Sequence, residues 1–181
     1  MNASLFHRLE GNNFYFKKLE ISDCIEIHKY ASDIDVSRFI GWNLMNNLDE
    51  TQEYVKEMIR REVAGTHMYA SIVLKSTKEI IGNAMVFNFD FMAKHAEIGY
   101  VFHKDFWGNS YGTETVGIMT NYLFESLKLH KVHSHVVSGN IGSIRIMEKN
   151  GFSLEGRIRD YHFIENVYYD RLCFGKLQNN I

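Results

Sequence analysis

The sequence predicts a mixed α/β fold built on one central β-sheet. Segments with strand-like patterns alternate with segments whose apolar residues recur at helical spacing, in the approximate order βααββ, βα, βα, ββ. A hydrophobic content of 45% supplies enough apolar side chains for a sizeable core. Because no repeat, low-complexity run or linker-like segment divides the 181 residues, we expect a single domain over residues 1–181.

The first half of the chain is predicted to contain one strand, two helices and a hairpin. Aromatic and β-branched residues favour the strands, and Ser, Asp and Glu residues suit the first turns of the helices. The predicted elements are a strand at 13–18, helices that begin near 22–23 and 49–50, and hairpin strands at 68–74 and 80–89.

The second half is predicted to alternate strands and helices before it closes with a hairpin. Asn140 or Ser143 is expected to cap the short helix, Gly151 to end it, and Glu165 with Asn166 to form the last turn. The predicted elements are a strand at 97–102, a helix at 113–129, a strand at 131–137, a short helix after 140, and a hairpin at 156–177.

The loop at 107–113 (WGNSYGT) stands between an apolar strand and an amphipathic helix. Two glycines and small polar residues allow the backbone to approach a ligand closely. The helix that follows offers unpaired N–H groups and the positive end of its dipole. Together these features predict an anion site, most often one for phosphate or pyrophosphate.

Charge and cysteine content limit the partners and the compartment that we expect. The net charge of −2 gives no electrostatic support for binding to nucleic acid or to an anionic membrane. Two cysteines far apart in sequence provide neither a disulfide framework nor zinc-ligand spacing. No apolar run has the length of a signal peptide or a membrane span. We therefore expect a cytoplasmic protein.

Five blocks of the sequence resemble the GNAT N-acetyltransferase superfamily. The most similar branch contains the Rim-type ribosomal-protein acetyltransferases and the spermidine acetyltransferases. The blocks are FKKL at 16–19, FIGW at 39–42, AEIGY at 96–100, WGNSYGTE at 107–114 and NIGSIRIMEKNGF at 140–152. Their order and spacing extend the resemblance over nearly the whole chain.

The resemblance implies a mostly antiparallel sheet of six or seven strands with helices on both faces. Its fourth and fifth strands, here 97–102 and 131–137, splay apart, and acetyl-CoA enters the gap. Ser110 and Trp107 replace a glycine and an Arg or Gln of the family motif. Arg145 and Lys149 are candidates for the 3′-phosphate. The implied cofactor contacts are Tyr100, Val101, Phe102, Trp107, Gly108, Asn109, Ser110, Tyr111, Gly112, Thr113, Asn140, Ser143 and Lys149.

Acetyl transfer to an amine requires a base that removes a proton. Glu97 resembles the acidic residue of this branch and is our first candidate, with His103 as the alternative. The tyrosine that protonates the thiolate in other branches is replaced by Met147. Ser143, Tyr111 or water would then supply that proton. No cysteine or serine is positioned as a covalent relay, so direct attack in a ternary complex is expected.

The acceptor amine is less well defined by the sequence. A protein N-terminal amine is our first hypothesis, and a polyamine or other small amine is the second. Phe39 and Trp42 are candidates for the acceptor pocket, while acidic residues at 33, 35, 49, 50 and 53 favour a polyamine. The absent tyrosine keeps a non-catalytic acyl-CoA sensor open as an alternative. Homodimers are common among relatives, so the resemblance allows one here.

His133 and His135 form a His-x-His pair on one face of a predicted strand. Imidazole is a common metal ligand, which makes a metal site conceivable. No acidic or cysteine partner has ligand spacing in the sequence, so ordinary half-buried histidines are the preferred interpretation. No metal is expected in the reaction.

Overall fold

The chain forms a seven-stranded sheet with helices on both faces, as seen in a computed structural model that describes residues 3–41 and 43–178. The strand order is β1-β2-β3-β4-β5-β7-β6, and only the β4–β5 pair is parallel. The strands are β1 (Phe14–Lys18), β2 (Met68–Leu74), β3 (Ile80–Asp90), β4 (His95–Phe102), β5 (Lys131–Val137), β6 (Ser153–Ile164) and β7 (Val167–Leu177). This confirms the predicted mixed α/β class and the mostly antiparallel sheet.

Five α-helices and three short 3-10 turns connect the strands in the described ranges. The 3-10 turns lie at Phe6–Arg8, Ile21–Asp23 and Lys104–Phe106. The helices are α1 (Cys24–Ala31), α2 (Ile34–Ser37), α3 (Leu48–Val63), α4 (Tyr111–Glu125) and α5 (Ile141–Lys149).

Apolar side chains on the two faces of the sheet form two separate cores. Val116, Met119 and Leu123 of α4 pack with Met147 of α5 on one face. The other face carries α1 and α3, whose buried residues pack with Val101 of β4. Because strand side chains alternate between faces, β4 contributes to both cores and lies at the centre of the molecule.

The helix predicted at 113–129 is shorter at its C-terminal end than the pattern indicated. It ends at Glu125, where the N–H groups of Ser126 and Leu127 both donate to the Tyr122 carbonyl oxygen. Lys128 then adopts a left-handed conformation with φ of 54°. This turn redirects the chain into β5, so Leu127 packs against the core from outside the helix.

Smaller differences concern element boundaries and one unpredicted helix. Ser22 and Asp23 lie in a 3-10 turn, and the Asp23 carboxylate accepts from Lys17 and Ser71 and does not cap α1. The short helix α2 was not predicted. The hairpin turn at Glu165 and Asn166 is confirmed, with φ of 50° and 62°.

Cys24 and Cys173 are both free thiols. Within residues 3–41 and 43–178, none of the helices is sufficiently long and apolar to cross a membrane.

Candidate functional site

A cleft opens between β4 and β5 because their pairing covers only three residue pairs. His95, Ala96 and Glu97 pair with the first three residues of β5, and the strands then separate. At the point of separation the Ser134 hydroxyl donates to the Ile98 carbonyl oxygen at 3.0 Å. This hydrogen bond joins the two strands at the apex of the cleft. The expected splay of the fourth and fifth strands is therefore present.

The edge of β4 beyond the apex faces the cleft. Both backbone groups of a strand residue point to the same neighbour, and successive residues alternate. The Ile98 carbonyl points toward β5, so the N–H and C=O of Tyr100 point into the cleft, where the described strands give them no partner. The Phe102 carbonyl also points there, but it accepts a hydrogen bond from the Trp107 indole at 3.0 Å. Tyr100 thus offers the free donor and acceptor pair of this edge.

The loop before α4 folds so that its backbone faces the cleft. Gly108 and Ser110 have φ of 79° and 64°, in the left-handed region. Ser110 therefore accepts the backbone conformation that glycine adopts more readily. The Asn109 amide donates to the carbonyl oxygens of Phe106 and Trp107, both at 3.2 Å, and thereby closes the loop.

The helix α4 begins at Tyr111, two residues earlier than predicted, and Ser110 makes no side-chain cap. The first N–H groups of a helix have no partner inside it. At this helix no capping side chain competes for them, so they are available to an anion. The geometry of the loop and of the helix start therefore fits the predicted phosphate site.

Cleft and loop form the walls of one cavity of about 530 Å³. It brings together every predicted cofactor residue except Asn109, and it also includes Arg145. Phe39, a predicted acceptor residue, lines the same cavity. Trp42, the other predicted acceptor residue, lies outside the described residues.

The wall on the side of α5 depends on close contact between two helices. A Cβ atom on Gly112 would lie 2.6 Å from the Ile146 side chain, so glycine permits α4 to approach α5. The Asn140 side chain accepts from the Ser143 N–H at 3.1 Å and caps α5. This bond sets the start of α5 at the cavity, with both residues on its lining.

Tyr100 and Ser143 meet inside this wall. Burial raises the pKa of the Tyr100 hydroxyl to about 12, and the neighbouring Ser143 hydroxyl acts in the opposite direction. The phenol is therefore protonated at neutral pH. Its oxygen is buried, and it forms no hydrogen bond of normal geometry with any described residue. Met147, at the position of the missing tyrosine, is fully buried in the core.

Glu97 lies one residue before the apex and is 6% exposed. Its side chain is on the face opposite to Ile98, the face that also carries Val101. One carboxylate oxygen contacts His135 Nδ1 at 2.6 Å, and the other accepts from the Asn88 amide at 2.9 Å. Glu97 is not among the residues that line the cavity. The carboxylate is held at the apex, next to the cleft.

The segment around α2 also lines the cavity, and of this segment the sequence singled out only Phe39 and the acidic residues at 33 and 35. Asp35, Val36, Arg38 and Ile40 belong to the lining. The N-cap pattern of Asp33, which accepts from the Asp35 N–H at 2.9 Å, was the local signal available. Its position over the cavity depends on contacts distant in sequence, such as the ring contact of Phe39 with Tyr169.

Ion pairs hold this segment in place at both ends. Lys104, in the turn after β4, contacts Asp33 at 2.6 Å and Asp35 at 3.8 Å. The hydrogen bond from Lys104 holds the pKa of the Asp33 carboxyl below its usual range. At the other end Arg38 contacts Glu165 of the β6–β7 turn at 3.2 Å. The segment therefore bridges the 3-10 turn after β4 and the last hairpin.

His103, the alternative base, and Arg157 of β6 both have structural contacts. His103 caps the 3-10 turn after β4, where its Nδ1 accepts from the Asp105 N–H at 3.1 Å. Arg157 of β6 forms an ion pair with Asp170 of β7. Neither His103 nor Arg157 belongs to the lining of the cavity.

Comparisons with known proteins agree with this geometry. The acetyltransferase (GNAT) domain family matches residues 13–153. The uncharacterised N-acetyltransferase p20 of Bacillus licheniformis is 26% identical over 162 residues, which cover 90% of this chain and 91% of the relative.

Two solved structures have similar folds. One is RimL, a ribosomal L7/L12 alpha-N-protein acetyltransferase in complex with coenzyme A, with a TM-score of 0.82, 16% identity, and coverage of 92% of this chain and 95% of that chain. The other is spermidine N-acetyltransferase from Vibrio cholerae in complex with CoA and spermine, with a TM-score of 0.81, 21% identity, and coverage of 93% and 97%. At these identities the two structures support the fold alone.

Proposed function

The chain belongs to the GNAT family of N-acetyltransferases, and from this premise we propose that it acetylates the N-terminal amine of a protein. The observation that carries the proposal is the state of the acidic residues near the cavity. Four of the five that would attract a polyamine, at 33, 35, 50 and 53, are already engaged by lysine side chains or by a backbone N–H group. The reaction takes place in the cytoplasm, and no metal ion takes part in the chemistry. The protein acts as a monomer or as a homodimer.

Acetyl-CoA is expected to bind in the cleft. The backbone N–H groups at the start of α4 and of Gly108 fit its pyrophosphate. Arg145 and Lys149, which line the same cavity, fit its 3′-phosphate. The free N–H and C=O of Tyr100 fit the amides of its pantetheine arm, in the manner of an added strand. Such binding presents the thioester to the apex, where the two strands separate.

Glu97 is the proposed base. Its carboxylate is fixed by Asn88 and His135 at the apex, so it is oriented before substrate arrives. It accepts the proton of the attacking ammonium group, directly or through water, and the neutral amine attacks the thioester carbon. Ser143 is the proposed donor of a hydrogen bond to the departing thiolate, since its hydroxyl lies at the cavity next to Tyr100.

The contacts of these acidic residues favour a peptide over a polyamine. Asp33 is paired with Lys104 at 2.6 Å, and Glu53 with Lys56 at 2.6 Å. The Glu50 carboxylate accepts from the Asn46 N–H at 2.8 Å. A polyamine would have to displace these partners to gain an acidic channel. A single N-terminal amine needs one carboxylate, and Glu97 provides it.

The test measures free-thiol release from acetyl-CoA with two acceptor panels, one of N-terminal peptides and one of spermidine, spermine and other small amines. We expect kcat/KM to be higher for at least one peptide than for every small amine. A small amine that exceeds all peptides would contradict the proposed acceptor. Tight acetyl-CoA binding without turnover on either panel would favour the sensor function.

The role of Glu97 is tested by Glu97→Gln in buffer that contains a metal chelator. Loss of a general base typically reduces the rate by about 10²- to 10⁴-fold, and we expect a kcat decrease in this range. The dissociation constant of acetyl-CoA, measured by calorimetry, should not change. Glu79→Gln, in the exposed β2–β3 turn, is the matched control with full activity. An active Glu97→Gln enzyme would exclude Glu97 as the base.

A further inference from the structure

Two imidazoles and a carboxylate meet on one face of the sheet, beside the apex of the cleft. His133 lies directly opposite Glu97 in the parallel ladder, and His135 lies two residues along the same face of β5. One ligand-type atom of each side chain lies within 4.8 Å of the other two. Glu97 is buried, whereas both histidines are half-buried, so solvent reaches the cluster from the histidine side.

We propose that Glu97, His133 and His135 form a binding site for one divalent transition-metal ion, with Zn²⁺ as the preferred ion. Two imidazoles and one carboxylate are a known ligand set for zinc with three protein ligands and one open position. Magnesium and calcium prefer oxygen ligands, so a site with two imidazoles disfavours them. All three ligands stand on paired β-strands, which keeps them close together before an ion binds.

Neighbouring groups support the site. The Asn88 amide holds one Glu97 oxygen at 2.9 Å, which leaves the other oxygen directed toward the histidines. A hydrogen bond from a neighbouring side chain to a metal ligand orients that ligand. Asn88 itself has φ of 50° and lies where the β3–β4 register shifts, so the local backbone is shaped to present it.

A further histidine, His95, lies beside the cluster. The His95 ring contacts the His133 ring at a centroid distance of 5.3 Å. Its Nδ1 atom is buried and has no hydrogen-bond partner among residues 3–41 and 43–178. A water molecule bound at the open coordination position of the ion would give this nitrogen a hydrogen-bond partner. Lys131, on the same face, is neutralised by Glu155 at 2.6 Å, which reduces its repulsion of a cation.

The ion acts as a switch on acetyl transfer and not as a cofactor. This part of the inference rests on the proposed function, because an ion bound to Glu97 occupies the lone pair that accepts the proton of the amine. Zn²⁺ is therefore expected to inhibit thiol release, and a chelator is expected to restore it. Metal binding itself does not depend on the proposed reaction.

The experiment uses the full chain without a histidine tag, dialysed against a chelator and then titrated with Co²⁺. We expect one equivalent to bind with the visible absorption of tetrahedral cobalt, and Zn²⁺ to abolish that absorption. Loss of a residue that only hydrogen-bonds to a metal ligand weakens metal affinity by about 10- to 100-fold. His133→Asn removes a direct ligand, so its affinity for Co²⁺ should fall by at least about 10-fold. His162→Asn, on β6, is the matched control and should bind as the wild type does.

Three outcomes separate the two parts of the inference. If the wild type shows no cobalt absorption, or if His133→Asn binds as tightly as the control, the metal site is overturned. Binding that is accompanied by Zn²⁺ inhibition, lost in His133→Asn, supports both the site and the switch. Binding with unchanged acetyl transfer supports the site and overturns the switch, and with it the role of Glu97 as base.

Discussion

The Ser134 hydroxyl holds the apex of the cleft, and the effect of its removal follows from the structure. It donates to the Ile98 carbonyl oxygen at 3.0 Å, and the two residues are only 5% and 1% exposed. Ser134→Ala removes a hydrogen bond with a net value of about 0.5–1.5 kcal/mol. A buried carbonyl that loses its donor costs about 1–3 kcal/mol. Because water does not reach Ile98, its carbonyl oxygen has no replacement donor in Ser134→Ala. We therefore expect the free energy of unfolding to decrease by about 1–3 kcal/mol.

Urea denaturation followed by circular dichroism measures this loss. In thermal denaturation of a domain of this size, each kcal/mol of lost unfolding free energy corresponds to a decrease in Tm of about 2–4 °C. Ser153→Ala, at the exposed start of β6, is the matched control and should remain within about 0.5 kcal/mol of the wild type. If Ser134→Ala is as stable as this control, the hydroxyl does not join the two strands, and our account of the apex is wrong.

Two further predictions concern stability. Gly108→Ala should destabilise the fold by about 1–2 kcal/mol, because the φ angle is 79° although space for a Cβ is available. Gly142→Ala, in α5, should instead stabilise the fold by about 0.5–1 kcal/mol. Urea denaturation measures both changes in unfolding free energy, and two changes of the same sign would contradict the reasoning. The Asp160 N–H and the Arg157 guanidinium hold the pKa of the Asp170 carboxyl below its usual range. Such a group stabilises the fold above its unfolded pKa of about 4 and loses this effect as the pH falls through its folded pKa. The destabilisation caused by Asp170→Asn should therefore shrink in acid, and denaturation at several pH values checks this; a pH-independent difference would refute it.

Local patterns predicted those elements whose conformation depends on residues close in sequence. Asn140 caps α5 through the N–H of Ser143, three residues on. Glu165 and Asn166 form a two-residue turn with left-handed angles, which asparagine adopts at a lower cost than most other residues. The end of α4 was not predicted. It is followed by a turn at Lys128 that redirects the chain into β5. The apolar pattern continued through Leu127 without indicating where the helix stops.

The backbone geometry of the loop before α4 was also largely predictable. The loop before α4 combines glycine, small polar residues and a helix start, and these act through their own backbone. The helix α2 and the place of Val36, Arg38 and Ile40 at the cavity were missed. The segment is held there by Lys104 and Glu165, which are distant in sequence. No periodic pattern in residues 32–41 indicates those partners.

The amino-acid sequence was sufficient to predict the order of the strands and of the four longer helices, the position of the loop before α4 and the family to which the chain belongs. These properties depend on local backbone preferences and on motifs that are contiguous in the chain. The point where β4 and β5 separate, and the groups that surround Glu97, became visible in the folded molecule. His135 reaches that carboxylate from 38 residues away, and Asn88 from the neighbouring strand. Such contacts arise from strand register, and register is fixed by the packing of the whole sheet.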